Sequence, residues 1–531
     1  MYNIILFADI AYSYSIARGY GIQRLATELR NKGYSVLCIN YSSSMNFLMY
    51  EKILDKAIGP ETFVVGISTT FFPYYDKTLS TGINNRTIAA NPKKIDEYYP
   101  EKHPWYFESF SYLFTQVDTK PWIDAVKKRN PKTKFVIGGT KSAEYIQNSQ
   151  VDNIFLGYAE TMFSEYADSI SGKGKKILFN KLIDYDPKAE NPIWNFRTAL
   201  TTYIKEDIVS PDDTLGFEFA RGCIFNCAFC SFPLIGRKDV SDSLKYKEII
   251  YNELLENYTK WGVKKYFIVD DTFNDSIEKL ELIHDVVKSL PFQPYFWAYT
   301  RVDLFHSNPR MAELMYEIGV REINFGIETL HPETAKIVRK GNPEIKKKSL
   351  KLAREVWGKE VYISSNYIVG LPKEPVSSIR ATTQWFIDEG YKYFDELSMF
   401  ALTLVNRFGD QQIFLSDIER NYAKYGYTLL NDNKGGWTKN DGTDLISRDQ
   451  CLELIDESLT VIHDTRGKPC YKNLFYASTY KDFDDRLSLD NLINIREEEF
   501  AIIENTIDTR ELYKRYADET YWPKLFKILG T

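Results

Sequence analysis

The sequence predicts an α/β protein in three parts: a doubly wound, Rossmann-like domain, then a partial (βα)6 barrel, then a mainly helical C-terminal domain. Three observations carry this reading. Short apolar runs alternate with amphipathic stretches through residues 1–170, the same alternation resumes with a regular beat from Thr214, and residues 406–531 are charged and Tyr-rich with no internal repeat. At 531 residues the chain is too long for one ordinary core, so two or three domains follow.

In the first part, Asn3 to Ala8 and Ser35 to Asn40 read as buried strands. Between them, Gly21 to Gly33 has helical periodicity and ends on a capping glycine. This is a βαβ unit. Further strands fall at Phe63–Ser68, Lys134–Gly138 and Asn153–Gly157, and such runs separated by helices predict a parallel sheet that binds ligands at its carboxyl ends. A polar and aromatic insertion, about residues 71–120, interrupts the domain, and residues 171–212, with their Gly-Lys and Asp-Pro pairs, read as the linker.

In the second part, residues 213–405, strands are predicted at Leu215–Ala220, Lys265–Val269, Tyr295–Tyr299, Glu322–Ile327, Tyr362–Val369 and Glu396–Leu402. Helices fill the gaps, among them Lys247–Trp261, Ile277–Ser289 and Pro309–Ile318. Active sites in such folds collect at the carboxyl ends of the strands.

Cys223, Cys227 and Cys230 lie just past the first of these strands, in Arg-Gly-Cys-Ile-Phe-Asn-Cys-Ala-Phe-Cys. Three soft thiolates at C-x3-C-x2-C spacing can hold three corners of a four-iron cluster and leave the fourth iron open. Structural zinc is the bland alternative, yet it normally closes its fourth position from a paired C-x2-C, and no such pair follows. Cys451 and Cys470, nineteen positions apart in sequence, read as ordinary semi-buried thiols rather than an auxiliary cluster.

With the strand ends that follow, this constellation resembles the radical S-adenosylmethionine superfamily and, within it, the branch with a cobalamin-binding domain. The resemblance rests on the cysteine run with Phe229 before its last cysteine, on Ile268-Val-Asp-Asp-Thr-Phe273, Tyr299-Thr-Arg-Val-Asp303 and Asn324-Phe-Gly-Ile-Glu328, and on Tyr367-Ile-Val-Gly-Leu-Pro372. It implies a [4Fe-4S] cluster on the three cysteines and S-adenosylmethionine beside Phe229, Asp270, Asp271, Arg301, Glu328 and Gly370. Each has a plainer reading. Strand-end carboxylates are often helix caps, Arg301 with Asp303 or Glu328 reads equally as an ion pair at the barrel rim, and Gly370 as a loop glycine.

Upstream, Gly66-Ile-Ser68, Phe135-Val-Ile-Gly-Gly-Thr140 and Gly157-Tyr-Ala-Glu160 are similar to the cobalamin-binding domain of that branch. The resemblance points to Ser68, Gly138, Gly139, Thr140 and Glu160 for cobalamin, although a Gly-Gly after a strand is usually only a turn. The Asp-x-His-x-x-Gly signature that supplies an axial histidine is absent, which disfavours mutase chemistry. The activity implied is generation of a 5′-deoxyadenosyl radical, with methylation of an unactivated carbon if cobalamin binds, or rearrangement, cyclisation or oxidation without it. A zinc-stabilised binding protein is the reading of another class.

Composition sets the remaining expectations. Hydrophobic content of 44% with 26% charged residues fits a globular protein, and a net charge of −6 gives no broad basic field for nucleic acid. No apolar run is long enough to span a bilayer, and the opening residues read as a strand rather than a signal peptide, so a cytoplasmic location is expected. A flavodoxin- or ferredoxin-type electron donor and an unidentified small-molecule or peptide substrate complete the expected partners.

Overall fold

The computed structural model describes residues 1–9, 18–70, 72, 104–140, 142–184, 196–232, 234–236, 243–404, 415–430, 436–466, 485–488, 491 and 509–530. Cys470 and most of the insertion lie outside the described residues.

The first sheet comprises β1 (Ile4–Ala8), β2 (Val36–Ile39), β3 (Val64–Ser68), β4 (Lys134–Gly138), β5 (Asn153–Leu156) and β6 (Leu182–Asp184). All pair in parallel, in the order β2-β1-β3-β4-β5-β6. Alternate residues of β1 enter two cores: Ile5 and Phe7 pack into one, Ile4, Leu6 and Ala8 into the other. Burial on both faces explains why these strands read as unbroken apolar runs. The helix Tyr20–Asn31 ends as the sequence predicts, with Gly33 at φ +80° and its N–H bonded to Arg30 O. The order reverses between β1 and β3, which places a ligand crevice at their carboxyl ends. The segment expected as linker supplies β6, because Leu182 and Ile183 extend the apolar edge beside β5.

The second sheet runs β7 (Thr214–Phe217), β8 (Lys265–Ile268), β9 (Tyr295–Thr300), β10 (Val320–Glu328), β11 (Tyr362–Val369) and β12 (Glu396–Ala401). These pair in parallel and in chain order, forming the six-stranded partial barrel the sequence predicts. The helices Lys247–Trp261 and Ile277–Ser289 have the predicted bounds, while Pro309 stands as the cap of Arg310–Ile318. Strand β7 stops earlier than expected, because the N–H groups of Phe219 and Ala220 bond to Asp270 instead of a strand neighbour. On β10, Ile323, Phe325 and Ile327 pack outward against the helices. Glu322, Asn324, Gly326 and Glu328 therefore share the opposite, inner face.

The C-terminal region divides between two cores. Helix Arg448–Arg466 and a three-stranded antiparallel sheet, β13 (Tyr427–Leu429), β14 (Trp437–Lys439) and β15 (Ile446–Ser447), pack on the barrel. This small sheet is not anticipated by the sequence reading. The last turns, Thr509–Tyr516 through Trp522–Leu529, instead join the first domain, where Tyr513, Tyr516 and Tyr521 surround Tyr41. Tyr516 Oη donates to Asp213 at 2.9 Å, and Arg18 pairs with the same buried carboxylate at 2.6 Å. First domain, barrel entrance and C-terminal helix are thus tied at one point.

Candidate functional site

The cysteine loop leaves β7 and is held at both ends by backbone bonds. Cys223 N–H donates to Leu234 O at 2.9 Å, and Ala228 N–H to Val338 O at 3.1 Å. Gly222, at φ +96°, makes the turn into the loop. Cys223 and Cys227 are buried and Cys230 is half-buried. Burial pushes the Cys223 thiol up and the Cys230 thiol up to about 12, so as free thiols they are inert at neutral pH. Ligation requires a metal to displace the proton.

No three His, Cys, Asp or Glu side chains among the described residues converge as they would on a single metal ion. Three thiolates that each bind a different iron do not share such a point, so the donor set is compatible with a cluster.

Each sulfur meets a different donor. Thr272 Oγ1 lies 3.2 Å from Cys223 Sγ, and Phe225 N–H points to the same sulfur at 3.4 Å. The Arg301 guanidinium donates to Cys227 Sγ at 3.4 Å, and a backbone bond from Phe232 acts on Cys230.

The two carboxylates ending β8 separate in role. Asp270 accepts from Phe219 N–H at 2.7 Å and Ala220 N–H at 3.1 Å and pairs with buried Lys279 at 2.7 Å. Three of its roughly four lone-pair positions are thus engaged by the fold. Asp271 Oδ2, by contrast, is buried with no hydrogen-bond partner. Burial first, then the charges of Glu218 and Asp270, push its carboxyl up to about 7. An ammonium placed there would relieve both costs.

The other expected cofactor residues are engaged as follows. Arg301 forms the rim ion pair with Asp303, through bonds of 3.1 and 2.8 Å, and stacks 3.9 Å from the Phe225 ring centre. It is not a free anion receptor. Glu328, at φ +65°, lies 3.5 Å from Lys340, whose ammonium sits 5.8 Å from the centre of the Phe229 ring. Gly370, at φ +94°, faces the C-terminal sheet: a Cβ there would sit 2.6 Å from Trp437 and 2.9 Å from Cys451. That packing requires a glycine here. Cys451 is itself fully buried, as an ordinary thiol is. Lys340 and Thr272 are site residues that sequence reasoning missed, although Thr272 lay inside a quoted motif.

In the first domain, Ser68, Gly138, Gly139 and Thr140 come together at the carboxyl ends of β3 and β4. Gly139 has φ +92°, and a Cβ on it would sit 2.8 Å from the backbone nitrogens of Thr69 and Thr70. Only glycine lets the two loops approach this closely. Glu160 is elsewhere occupied. It accepts from Arg221 at 2.7 Å, and Arg221 also pairs with Glu218 at 2.8 Å, so Glu160 ties the domain to the cysteine loop.

With this geometry in place, comparison defines the class. Residues 217–386 match the family described as the Radical SAM superfamily. The chain's fold is that of the radical S-adenosylmethionine methyltransferase TsrM from Kitasatospora setae, solved with cobalamin and a [4Fe-4S] cluster bound: TM-score 0.60, 11% identity, 96% of this chain and 100% of that one. The cobalamin-dependent S-adenosylmethionine radical enzyme OxsB, solved with aqua-cobalamin and S-adenosylmethionine, aligns with TM-score 0.51 at 12% identity over 100% of this chain and 83% of that one. Among curated relatives, an uncharacterized methyltransferase of Pyrococcus horikoshii is 26% identical over 251 residues, 44% of this chain and 52% of its own length. The bacteriochlorophyllide d C-12(1)-methyltransferase of Chlorobaculum tepidum is 22% identical over 178 residues, 33% of this chain and 37% of that one. The chain thus spans about half the length, or less, of these curated relatives. No helix among the described residues is long and apolar enough to cross a membrane.

Proposed function

We propose that this protein is a radical S-adenosylmethionine methyltransferase that uses a [4Fe-4S] cluster and cobalamin to methylate an unactivated carbon. The observation that carries the reading is that Asp271, whose Oδ2 has no hydrogen-bond partner, is near enough to Cys223 and Cys230 for its charge to act on both thiols, inside the matched domain. The methyltransferase names of two curated relatives and the cofactors bound in TsrM and OxsB support it. When bound, a cluster with one open iron supplies the electron that cleaves S-adenosylmethionine to methionine and a 5′-deoxyadenosyl radical.

This chain's own residues bind, orient and exclude water. The three thiolates hold the cluster, Asp271 receives the methionyl ammonium, and Phe229 covers the cofactor from the loop. Lys340 and Glu328 form the polar wall facing Phe229. Ser68, Gly138, Gly139 and Thr140 form the crevice for cobalamin, where Gly139 allows backbone amides to approach. The inner face of β10 and β11, with Asn324, Ser364 and Asn366 in hydrogen-bond contact, lines the space for the substrate carbon.

A second reading keeps the radical chemistry without cobalamin. It is favoured by Glu160, whose carboxylate is bound to Arg221 rather than open to a ligand. Anaerobic reconstitution with S-adenosylmethionine, dithionite and hydroxocobalamin separates the possibilities. Four-iron absorbance, retained cobalamin and methylated product support the first reading, and deoxyadenosine without cobalamin retention supports the second. Neither a four-iron signal nor deoxyadenosine, with candidate substrates present, overturns both.

A further inference from the structure

We propose that Arg301 tunes the reduction potential of the cluster by donating a charge-assisted hydrogen bond to the Cys227 sulfur. This rests on the reading that the three cysteines hold a [4Fe-4S] cluster. Arg301 and Asp303, expected to serve S-adenosylmethionine or a rim ion pair, gain a different role from where the side chains point.

Four features aim the guanidinium. Asp303 takes two of its N–H groups, from Nε at 3.1 Å and Nη2 at 2.8 Å, in the planar fork that only arginine offers. The Phe225 ring, from the cysteine loop itself, lies under the plane with its centre 3.9 Å from Cζ. Buried Asn274 clamps the Arg301 backbone, accepting from its N–H at 2.9 Å and donating to its carbonyl at 2.8 Å. Gly341, at φ +70°, leaves the space that the Asp303 carboxylate fills, since a Cβ there would overlap it. With Nε and Nη2 taken, the remaining nitrogen, Nη1, points at Cys227 Sγ at 3.4 Å.

The three sulfurs are therefore unequal. Cys223 and Cys230 receive neutral backbone donors, whereas Cys227 receives a charge-assisted bond from the Arg301 guanidinium, whose side chain is 5% exposed. In so buried a place, charge and hydrogen bonding act with little solvent screening. Reduction adds one electron, from a low-potential donor, to a cluster already carrying thiolate charge. A cation and N–H donor at a ligand sulfur stabilise the reduced form more than the oxidised form and raise the potential. Asp303 acts through Arg301 and is a positioning residue.

The test is a potentiometric titration of the reconstituted full chain, followed by electron paramagnetic resonance of the reduced cluster, for wild type, Arg301→Gln, Arg301→Lys and Asp303→Asn. Iron and sulfide content is measured in parallel. At the wild-type midpoint, the reduced-to-oxidised ratio is expected to fall about tenfold in Arg301→Gln, which is a shift of about 59 mV for one electron. Arg301→Lys keeps the charge without the fork and falls between, and Asp303→Asn, which removes the carboxylate that offsets the guanidinium charge, shifts in the opposite direction to Arg301→Gln. Equal midpoints in variants with full cluster content overturn the inference. So does loss of the cluster from all three variants, because Arg301 would then serve to build the loop. A wild-type protein that takes up no cluster instead overturns the reading of the cysteines on which the inference rests.

Discussion

Arg221 Nη2 lies 2.7 Å from Glu160 Oε1, linking the start of the helix after β5 to the residue two positions ahead of Cys223. The guanidinium is 5% exposed and also holds Glu218 at 2.8 Å, while its face stacks near Tyr158, 4.3 Å from the ring centre. One arginine thus joins the first domain to the cysteine loop. Burial alone would push the Glu160 carboxyl up, yet Arg221 more than reverses this and holds it below the usual range. Such a group adds stability above its unfolded value, near 4.3, and loses it as pH falls through the depressed native value. Arg221→Met strands two carboxylates and is expected to cost about 3–5 kcal/mol, whereas Glu160→Gln, which leaves Glu218 in place, costs about 1–3. Denaturation midpoints rank the two, and Glu160→Gln should also flatten the acid limb of the stability profile.

Asp270 and Asp271 are neighbours with opposite assignments, so exchanging each for asparagine should give opposite results. Asp270→Asn removes one of the two counter-charges of Lys279, leaving Asp275 at 3.2 Å, and turns an amide group toward backbone donors, for a loss of about 3 kcal/mol in stability. Asp271→Asn removes an ionisable group with an unsatisfied oxygen and leaves the fold intact. Its effect is expected in binding: about ten- to hundredfold weaker S-adenosylmethionine, the worth of one charge-assisted hydrogen bond. Equilibrium dialysis on the reconstituted protein reads this directly. Unchanged binding in Asp271→Asn would remove it from the site.

Much of the fold was legible because its signals are local. The strands of both sheets are apolar over short runs, and Lys247–Trp261 ends at Gly262, where φ is +73° and the helix must stop. The cysteine spacing is equally local. What escaped the sequence depends on distant partners. The bonds that Phe219 and Ala220 donate to Asp270, fifty positions away, and the pairing of Glu160 with Arg221 leave no local signal. The strands β13 to β15 have three residues or fewer each, too short for any period to show. Gly370 carries no side chain from which to read its contact with Trp437.

That contact makes Gly370→Ala a test of how the C-terminal sheet is seated. A residue with a side chain at φ +94° is strained, at about 1–2 kcal/mol, and its Cβ would press on Trp437 and Cys451, which overpacking raises by about 1–3 more. Tyr427 Oη also donates to the Gly370 carbonyl at 2.7 Å, so displacement of the loop would break a buried bond. The expected result is a lower thermal midpoint together with faster proteolysis between β12 and the helix Arg448–Arg466. Weaker S-adenosylmethionine binding with unaltered stability would instead return Gly370 to the cofactor site.

A buried pair of carboxyl groups in the barrel predicts an alkaline weakness. Glu322 lies on the inner face of β10 opposite Tyr362 in register, and Tyr362 Oη donates to Glu396 Oε2 at 3.2 Å while Ser398 Oγ donates to Oε1 at 2.9 Å. Burial first, then the negative charge of Glu396, push the Glu322 carboxyl up to about 8. An unfolded glutamate titrates near 4.3. The native state therefore holds a proton that the unfolded chain has released, so its contribution is complete below the unfolded value and is lost as pH rises through about 8. Glu322→Gln keeps the shape and cannot ionise. It should match the wild type at about pH 5 and exceed it at about pH 9 in denaturation midpoint, the gap widening across the interval between the two pKa values. Parallel profiles for the two proteins would mean that Glu322 is ionised throughout, with its charge balanced within the barrel.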